Sequence, residues 1–299
     1  MSRRQKPFVI FILAVTTLSL FSLSPIVSAD DGNLILHWNL NEGSGTTAID
    51  DSGNSYDGTL YNGATYVTGH EGKGVLLNGV DQYVQTPTPF PFLGTVDQPY
   101  ALSAWVNFTQ AGASGNIFHI SSNMDGSGWC IPFLTLTNGH FVATGWNDGE
   151  VQAVDPAVST NGVWHQVIST WDPTNGLRLF VDGDLVSSTP QSNYAASGSP
   201  MYASLGLGSV ACSNNQGYLE GVVDDARIYS RALLSEDIQS IASEGSPVVP
   251  SPEPQAPGAP NTGVGPSQDK AQNEIMPALL VSTLSAILVY TGTLVLKRR

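Results

Sequence analysis

Positive charge is scarce in this sequence. Lys and Arg together number 11 among 299 residues, against 25 Asp and Glu, which gives a formal net charge of −14. An acidic surface of this kind repels phosphate backbones and anionic lipid headgroups. The composition therefore excludes nucleic acid as a partner, and it leaves carboxylates available for a hard cation. Between residues 30 and 245, the basic side chains are Lys73, Arg178, Arg227 and Arg231.

The chain also lacks the short motifs of common catalytic and nucleotide-binding sites. It contains no glycine-rich phosphate loop, no Gly-x-Ser-x-Gly elbow and no HExxH sequence. His119, His140 and His165 lie singly on predicted strands. Isolated strand histidines are expected to satisfy local hydrogen bonds rather than to bind a metal. The motifs therefore predict neither a nucleotide-dependent enzyme nor a zinc protease.

Cysteine is limited to Cys130 and Cys212. Neither residue lies in a CxxC pair or close in sequence to clustered histidines, so the spacing excludes a zinc motif. In an oxidising compartment, such a pair favours a disulfide over two free thiols. A bridge would close a loop of roughly 80 residues and add a few kcal/mol of stability in the chain-entropy model.

The N-terminal region has the composition of an export signal. Ser2–Lys6 is basic, Phe8–Leu23 is apolar, and Val27-Ser28-Ala29 ends the stretch with small residues. These three parts predict a secretory signal peptide over residues 1–29, cleaved after its last residue. An uncleaved N-terminal anchor is the alternative.

The C-terminal region combines a proline-rich segment with a long apolar run. Residues 246–275 contain recurrent proline and few apolar residues, which predicts a disordered stalk. Met276–Leu296 has the length of a transmembrane helix, and residues 297–299 predict a basic cytoplasmic tail. A buried soluble helix is the alternative. Together with the export signal, these segments predict a single-pass protein displayed at the cell surface.

The middle of the chain, residues 30–245, reads as short strands separated by turn residues. Asn138-Gly139 and Asp182-Gly183 have the composition of hairpin turns. Ser235–Ala242 is the convincing helix, with its first serine as the predicted cap. Because helices do not alternate with strands, the pattern predicts an all-β domain of two antiparallel sheets packed face to face. The candidate strands are Leu34–Leu40, Gly58–Tyr61, Val75–Leu77, Tyr83–Gln85, Tyr100–Phe108, Ile117–Ser121, Ile131–Thr137, His140–Trp146, Trp164–Trp171, Leu177–Val181, Ala203–Leu207 and Tyr218–Tyr229.

Tryptophan marks the predicted core. Trp38, Trp105, Trp164 and Trp171 all lie within predicted strands. Large rings gain most when they are buried between packed sheets. We therefore expect these four side chains in the core.

A series of motifs recurs along the domain in a fixed order. It comprises a Trp strand with a Glu-x-x-Gly loop, an Asp-rich turn, a glycine-bounded hairpin, a central Trp strand, two paired strands and a final strand. In this order the motifs resemble the laminin-G-like, concanavalin-A-like jelly-roll family over about residues 33–241. The resemblance implies a two-sheet jelly-roll sandwich that binds glycans or proteins outside the cell, and it does not imply catalysis. The segments are His37–Gly45, Ala48–Asn54, Gly74–Val84, Ala101–Val106, Val163–Val167, Leu177–Gly183 and Gly221–Leu233.

The stalk carries a second resemblance. Ala259-Pro260-Asn261-Thr262-Gly263 resembles a sortase sorting signal with Ala in place of the usual Leu. The likeness implies cleavage between Thr262 and Gly263 and covalent attachment to a cell wall. The spacer Val264–Ile275 is longer than such signals commonly show, and simple membrane anchoring is the alternative.

Asp224 and Asp225 are adjacent carboxylates in the last predicted strand. Strict alternation places Asp224 on the same face as Val222, Ala226 and Ile228, which is predicted to face inward. An inward carboxylate needs backbone donors, a cation or an arginine.

Two interpretations of these carboxylates remain open. The first is a structural calcium site shared with an Asp-rich turn early in the domain, since Ca²⁺ prefers carboxylate, amide and carbonyl oxygens. The second is a hydrogen-bonded structural aspartate at position 224, with Asp225 either paired to Arg227 or exposed to solvent. The candidate calcium ligands are Asp50, Asp51, Asn54, Asp224 and Asp225.

Three predicted loops combine aromatic rings with amides and carboxylates. A ring covers the apolar face of a sugar while Asn and Asp bind its hydroxyl groups. Cys130 and Cys212 adjoin two of these loops, so a disulfide would hold them side by side. Ordinary turn composition around partly buried tryptophans is the alternative. The candidate ligand-binding residues are Asn123, Asp125, Trp129, Trp146, Asn147, Asp148, Asn214 and Tyr218.

Glycoside hydrolases of related fold often carry a Glu-x-Asp-x-x-Glu strand. This chain lacks that triplet, and Glu220, Asp224 and Asp225 come nearest to it. We therefore predict a cell-surface adhesion protein that binds a carbohydrate or an extracellular protein without catalysis. A glycoside hydrolase and a structural surface protein without a specific ligand are the alternatives.

Overall fold

A computed structural model describes residues 33–92, 95–147, 149–190, 193, 200–208, 212 and 215–244. These residues form sixteen strands and one helix. In chain order they are β1 Leu34–Trp38, β2 Thr47–Ala48, β3 Gly58–Tyr61, β4 Thr65–Thr68, β5 Lys73–Asn78, β6 Tyr83–Gln85, β7 Tyr100–Phe108, β8 Gly115–Ser121, β9 Cys130–Thr137, β10 His140–Trp146, β11 Glu150–Val154, β12 His165–Asp172, β13 Gly176–Val181, β14 Asp184–Thr189, β15 Tyr202–Leu205, β16 Glu220–Tyr229 and α1 Ser235–Ser243.

The strands form two eight-stranded sheets. Sheet A has the order β14-β13-β12-β7-β16-β5-β4, and β1 pairs with β16 beside this path. Sheet B has the order β11-β10-β9-β8-β15-β6-β3-β2. The strand pairs of both sheets are antiparallel. The predicted all-β architecture of two antiparallel sheets is confirmed, and non-consecutive neighbours such as β7 and β16 give it jelly-roll connectivity.

Both predicted two-residue turns are confirmed. Asn138 and Gly139 have φ angles of 51° and 82°, and Asp182 and Gly183 have φ angles of 52° and 86°. Two successive residues with positive φ are the requirement of a type I′ hairpin, which Asn-Gly and Asp-Gly meet at low cost. Local turn chemistry therefore sets the registers of the β9–β10 and β13–β14 hairpins.

The main core lies between the sheets. Trp38 and Trp171 are completely buried there, as predicted. The other two tryptophans lie outside this cluster, although Trp105 is buried as predicted. Trp105 alternates with the core residues Ala104 and Val106 and therefore faces outward from sheet A, where it is 6% exposed. Trp164 precedes β12 and is only partly buried.

A β-bulge interrupts β16 at the paired aspartates. The register of β16 against β7 shifts between Asp224 and Arg227, and Asp225 has a φ of 45°. Val223 and Ala226 both face the core, although strict alternation would place them on opposite faces. The inward prediction for Asp224 is therefore wrong, because the extra residue of the bulge reverses the face of everything before it.

Helix α1 packs on the outer face of sheet A. Ile238 and Ile241 are buried there against a second apolar cluster. The sheet contributes to this cluster through residues that alternate with core-facing neighbours, so they lie on the opposite face. These residues are Ala101, Ile168, Phe180 and Tyr229.

The predicted cap of this helix is wrong. The helix begins at Ser235 as expected, but the preceding residue, Leu234, is the N-cap and makes no side-chain cap. The carboxylate of Asp237 instead accepts the backbone N–H of Leu234 at 2.8 Å and an N–H of Arg231 at 2.6 Å. A carboxylate three residues into the helix thus satisfies the free donor at its start.

The predicted signal peptide, stalk, transmembrane helix, cytoplasmic tail and sorting signal lie outside the described residues and stay predictions. Within the described part of the chain, no helix has both the length and the hydropathy needed to cross a bilayer.

Candidate ligand-binding cleft

A cleft of about 220 Å³ opens on the outer face of sheet A. It lies where β1, β7 and β16 meet the β4–β5 turn and the end of α1. The bulge in β16 turns its carboxylates toward this cleft rather than toward the core. The lining residues are His37, Asn39, Asn41, His70, Glu71, Trp105, Asp224, Asp225, Arg227 and Glu244.

Stacked aromatic rings form one wall of the cleft. The imidazole of His70 lies parallel to the Trp105 indole, with ring centroids 3.6 Å apart and an interplanar angle of 10°. Trp164 meets His70 edge-on at 5.8 Å. Burial lowers the pKa of His70, which keeps its ring neutral at physiological pH. The wall is therefore aromatic and uncharged.

Asp224 forms the floor beside this wall. Its Oδ2 accepts the backbone N–H groups of His70 at 2.9 Å and Glu71 at 3.1 Å, and its Oδ1 accepts the N–H of Asp225 at 2.8 Å. Burial raises the pKa of Asp224 to about 7, while these three donors favour the charged form. The carboxylate ties the β4–β5 turn to β16.

Asp225 and Arg227 form an ion-pair network along the opposite wall. Asp225 accepts hydrogen bonds from His37 at 2.8 Å and Arg227 at 3.0 Å. Burial opposes ionisation of Asp225, but the His37 hydrogen bond and the Arg227 charge hold its pKa below the usual value. The guanidinium of Arg227 also pairs with Glu244 at the end of α1. The Asp225–Arg227 pair is one of the two alternatives that the second interpretation of the sequence left open for Asp225.

The predicted calcium ligands divide into separate hydrogen-bonded groups. Asp50 accepts the backbone N–H groups of His37 at 2.9 Å, Ser52 at 3.0 Å and Tyr56 at 2.8 Å. Asp51 accepts a hydrogen bond from Asn39, and the amide of Asn54 donates to the carbonyl of Leu34 at 3.0 Å. Among the described residues, none of these aspartates belongs to a cluster of His, Cys, Asp or Glu close enough to share a metal. Calcium binding stays a prediction, and these contacts satisfy Asp50 without a cation.

The loops predicted to bind a ligand meet only in part. Trp129 and Trp146 lie at the same end of neighbouring strands in sheet B, and both pack partly buried against the core. Asn123 and Asp125 are exposed in the β8–β9 loop, where hydrogen bonds from Ser127 lower the pKa of Asp125. Asn147 follows β10 at that end. Asp148 and Asn214 lie outside the described residues.

Tyr218 lies away from these loops. The neighbouring Gly217 accepts a backbone hydrogen bond from Asn116 at the start of β8, whereas the Asn123 loop follows the end of that strand. Tyr218 packs instead near Tyr83, which stacks on Tyr61 with ring centroids 4.7 Å apart. The predicted ligand-binding set is therefore split between opposite ends of sheet B.

The predicted disulfide is confirmed. Cys130 and Cys212 are bonded across a sequence separation of 82, with Cα atoms 5.8 Å apart. The bridge joins the start of β9 to the segment that precedes β16. It therefore fastens that segment to sheet B.

Comparison with known proteins agrees with this architecture. A family model described as the concanavalin A-like lectin/glucanases superfamily matches residues 78–239. The chain belongs to this superfamily. A search of curated proteins found no match.

Solved structures of the same fold include binding domains of botulinum neurotoxins. A serotype D/C domain in complex with SialylT is 14% identical, with a TM-score of 0.52 over 72% of this chain and 52% of that one. A structure of botulinum neurotoxin type C, whose cell entry depends on interaction with two ganglioside molecules, is 13% identical, with a TM-score of 0.52 over 71% of this chain and 51% of that one. This chain spans about half the length of these domains.

A third structure is domain 4 of AbnA, an extracellular arabinanase from Geobacillus stearothermophilus, in complex with arabinotriose. It is 19% identical, with a TM-score of 0.49 over 70% of this chain and 98% of that domain. At these identities, the two toxin domains show a shared fold and nothing about a shared site.

Most of the residues that line the cleft were not predicted from the sequence. The adjacent residues His70 and Glu71 lie in the β4–β5 turn, Trp105 lies in β7 and Glu244 follows α1, and no local pattern joins these three parts of the chain. The one available signal was Gly69, because a Cβ there would lie 2.3 Å from the carbonyl oxygen of Lys73 and 2.6 Å from Oδ2 of Asp224. A glycine at this position allows the turn to approach the carboxylate.

Proposed function

We propose that this chain is a non-catalytic cell-surface binding protein and that the cleft beside His70 and Trp105 recognises a carbohydrate. The observation that carries the proposal is the aromatic wall. It faces a rim of amide and carboxylate groups on the other side of the cleft, which has a volume of about 220 Å³. A sugar ring presents C–H groups on its faces and hydroxyls at its edge. The wall suits the first and the rim suits the second.

The rim supplies polar groups of several kinds. Asn39 and Asn41 offer amides, Glu71 and Glu244 offer carboxylates, and Arg227 offers N–H donors. Glu71 and Asn41 are exposed, so a ligand can contact them without a rearrangement of the backbone. Such groups pair with vicinal hydroxyls through directional hydrogen bonds, which give specificity at a modest cost of desolvation.

The ligands of the neighbouring folds are consistent with a binding role. One toxin domain was solved in complex with SialylT, and the type C toxin interacts with ganglioside molecules. Those ligands belong to those proteins, and at 13–14% identity they support only the class of function.

The hydrogen bonds of the paired aspartates favour binding over hydrolysis. A glycosidase needs one carboxylic acid to protonate the leaving group and a second carboxylate roughly 5–9 Å away. Both oxygens of Asp224 accept backbone N–H groups, and Asp225 is engaged by His37 and Arg227. Neither group is free to take a catalytic role. Release of reducing sugar from a polysaccharide by the purified chain would favour the hydrolase alternative instead.

A glycan array probed with the purified full-length chain tests the proposal. We expect wild-type binding to at least one glycan, and we expect His70→Ala to weaken it at least about 10-fold because one of the two stacked rings of the wall is lost. The backbone N–H of His70 donates to Asp224, so the loss of the imidazole leaves this hydrogen bond intact. His140→Ala, a histidine of sheet B, is the matched control and should bind as wild type.

The same array separates the cleft from the loops of sheet B. Loss of binding in Asn123→Ala or Asp125→Ala, with full binding in His70→Ala, would transfer the site to the loops predicted from the sequence. Absence of binding to every glycan by folded wild-type chain would contradict carbohydrate recognition and leave a protein ligand to be sought.

Surface display belongs to the same proposal. The proline-rich segment 246–275 would act as a stalk, and Met276–Leu296 would hold the chain in the membrane. Fractionation should find the full chain with membranes and a chain truncated before residue 276 in the medium. Material released only by wall-digesting enzymes, and lost in Thr262→Ala, would support sortase attachment.

The predicted structural calcium site is tested separately. An ion that binds only the native state raises the melting temperature in calcium relative to chelator. Identical melting curves would exclude the site, and the backbone hydrogen bonds to Asp50 and Asp224 favour that result.

A further inference from the structure

His119 lies beside the disulfide, on the sheet opposite the cleft. Its side chain, on β8, is completely buried, while Cys212 is 6% exposed and Cys130 is partly exposed. One imidazole nitrogen and the two Sγ atoms all lie within 4.8 Å of one another. The three potential ligand atoms come from distant parts of the sequence and meet only in the fold.

The hydrogen bonding of His119 identifies its tautomer. Nε2 lies 3.1 Å from the carbonyl oxygen of Gly126. A carbonyl oxygen only accepts hydrogen bonds, so Nε2 carries the proton and Nδ1 carries a lone pair. This buried Nδ1 has no hydrogen-bond partner within the described part of the chain. An unpartnered buried acceptor is costly, and this imidazole lies beside two sulfur atoms, so the arrangement calls for an explanation.

This arrangement is that of a metal-ligating histidine. In metal sites, the nitrogen that does not bind the metal commonly donates its N–H to a carbonyl or carboxylate, which holds the ring and leaves the other lone pair directed at the ion. Gly126 supplies that carbonyl here. Two cysteine thiolates and one histidine form a known zinc ligand set with a fourth position open.

We propose that reduction of the Cys130–Cys212 disulfide converts this cluster into a metal site, in which both thiolates and Nδ1 of His119 bind one zinc ion. A thiol or phosphine reductant supplies two electrons, and two protons are taken up as the S–S bond breaks to give two thiols. Zinc then displaces both thiol protons to solvent as two Zn–S bonds form. The partly exposed Cys130 side chain gives the ion its path to the site.

The disulfide and the metal site are alternative states of the same sulfur atoms. In the oxidised chain, each sulfur is bonded to the other and cannot act as a thiolate ligand. Reduction gives Nδ1 of His119 a partner in either outcome, an S–H donor or a metal ion. This pairing favours the reduced state of the two cysteines at this site. The site does not depend on the cleft, so the glycan proposal and the zinc proposal stand or fall separately.

Metal titration of the full-length chain tests the proposal. Oxidised chain and chain reduced with a phosphine are incubated with zinc, desalted and analysed for bound metal. We expect one zinc per reduced chain and none per oxidised chain. With cobalt in place of zinc, the reduced chain should show a thiolate-to-cobalt charge-transfer band, which reports sulfur ligation directly.

Variants assign the third ligand. Loss of a hydrogen-bond partner of a ligand costs roughly 10–100-fold in metal affinity, so His119→Ala, which removes the ligand, should weaken zinc at least about 100-fold. His140→Ala is the matched control, because its Nδ1 already bonds the carbonyl of Asp155 at 2.9 Å. It should bind as wild type.

Two results would overturn the proposal. The first is a reduced wild-type chain that binds no zinc and shows no cobalt–thiolate band, an outcome that needs no variant to fold. The second is unchanged zinc affinity in folded His119→Ala, which would assign the metal to the thiolates or to another part of the chain.

Discussion

At the scale of single residues, the neighbours Asp224 and Asp225 show how the environment separates two identical side chains. Burial raises the pKa of Asp224 to about 7. Asp225 is also buried, but His37 and Arg227 hold its pKa below the usual value. The two adjacent aspartates were visible in the sequence, where the pairing of Asp225 with Arg227 was one of the alternatives left open. The backbone donors around Asp224 come from residues far away along the chain, so no local pattern could assign its state.

The raised pKa of Asp224 predicts a specific pH dependence of stability. Between the unfolded pKa, about 3.9, and about 7, the folded state binds a proton that the unfolded state has lost. This contribution is therefore present below pH 4 and is lost as the pH rises through 7. Relative to Asp224→Asn, wild-type stability should fall by about 2–4 kcal/mol between pH 4 and pH 8. Denaturant unfolding at several pH values measures the difference.

Asp51→Asn is the control for this experiment, because it removes an exposed carboxylate near the same cleft. Its stability curve should run parallel to that of the wild type. Parallel curves for Asp224→Asn as well would mean that the three backbone donors keep Asp224 ionised throughout, against the expectation.

At the scale of secondary-structure elements, the strands that sequence reasoning missed are the edges of the sheets. The twelve predicted strands all match observed ones, whereas β2, β4, β11 and β14 were not predicted. β4 and β14 end sheet A, and β2 and β11 end sheet B. An edge strand has a neighbouring strand on one side only and is less buried, so its sequence needs little alternation of apolar and polar residues. The signal used to find strands is therefore weakest there.

The start of helix α1 gives a prediction about capping. Asp237 is completely buried and accepts hydrogen bonds from Leu234 and Arg231. Asp237→Ala removes this cap and leaves the Arg231–Asp237 ion pair broken, so it should lower the free energy of unfolding by about 2–4 kcal/mol. Ser235→Ala, at the residue predicted from sequence to cap the helix, should change it by less than about 0.5 kcal/mol.

Thermal and denaturant unfolding of the two variants decide between these positions. Equal losses in both variants, or a larger loss in Ser235→Ala, would return the capping role to the serine. Since α1 covers the outer face of sheet A, Asp237→Ala should also increase hydrogen exchange in the amides of the helix.

At the scale of the whole molecule, a single covalent bond constrains a long stretch of chain. The disulfide closes a loop across a sequence separation of 82. In the chain-entropy model, loss of such a bridge costs about 2–5 kcal/mol. The double change Cys130→Ser and Cys212→Ser should therefore lower the midpoint of urea unfolding, measured by tryptophan fluorescence in the presence of a chelator.

Reduced wild-type chain is the control for this prediction, and in chelator it should unfold close to the double serine variant. An unchanged midpoint in both samples would contradict a stabilising role for the bridge. Added zinc should raise the midpoint of the reduced wild type alone, since only that sample retains the proposed ligand set.

The sequence by itself determined the two-sheet fold, both hairpin turns and the disulfide, because alternation, turn chemistry and cysteine count are read from short segments. Strand order and the bulge in β16 depend on contacts between distant segments, and they decided which side chains meet. His70 and Asp224 are 154 positions apart yet share a hydrogen bond. His119 was expected to satisfy a local hydrogen bond, and the spacing of the cysteines excluded a zinc motif. Only the packing of sheet B brought these three residues together, since ligand geometry is a property of space and not of sequence separation.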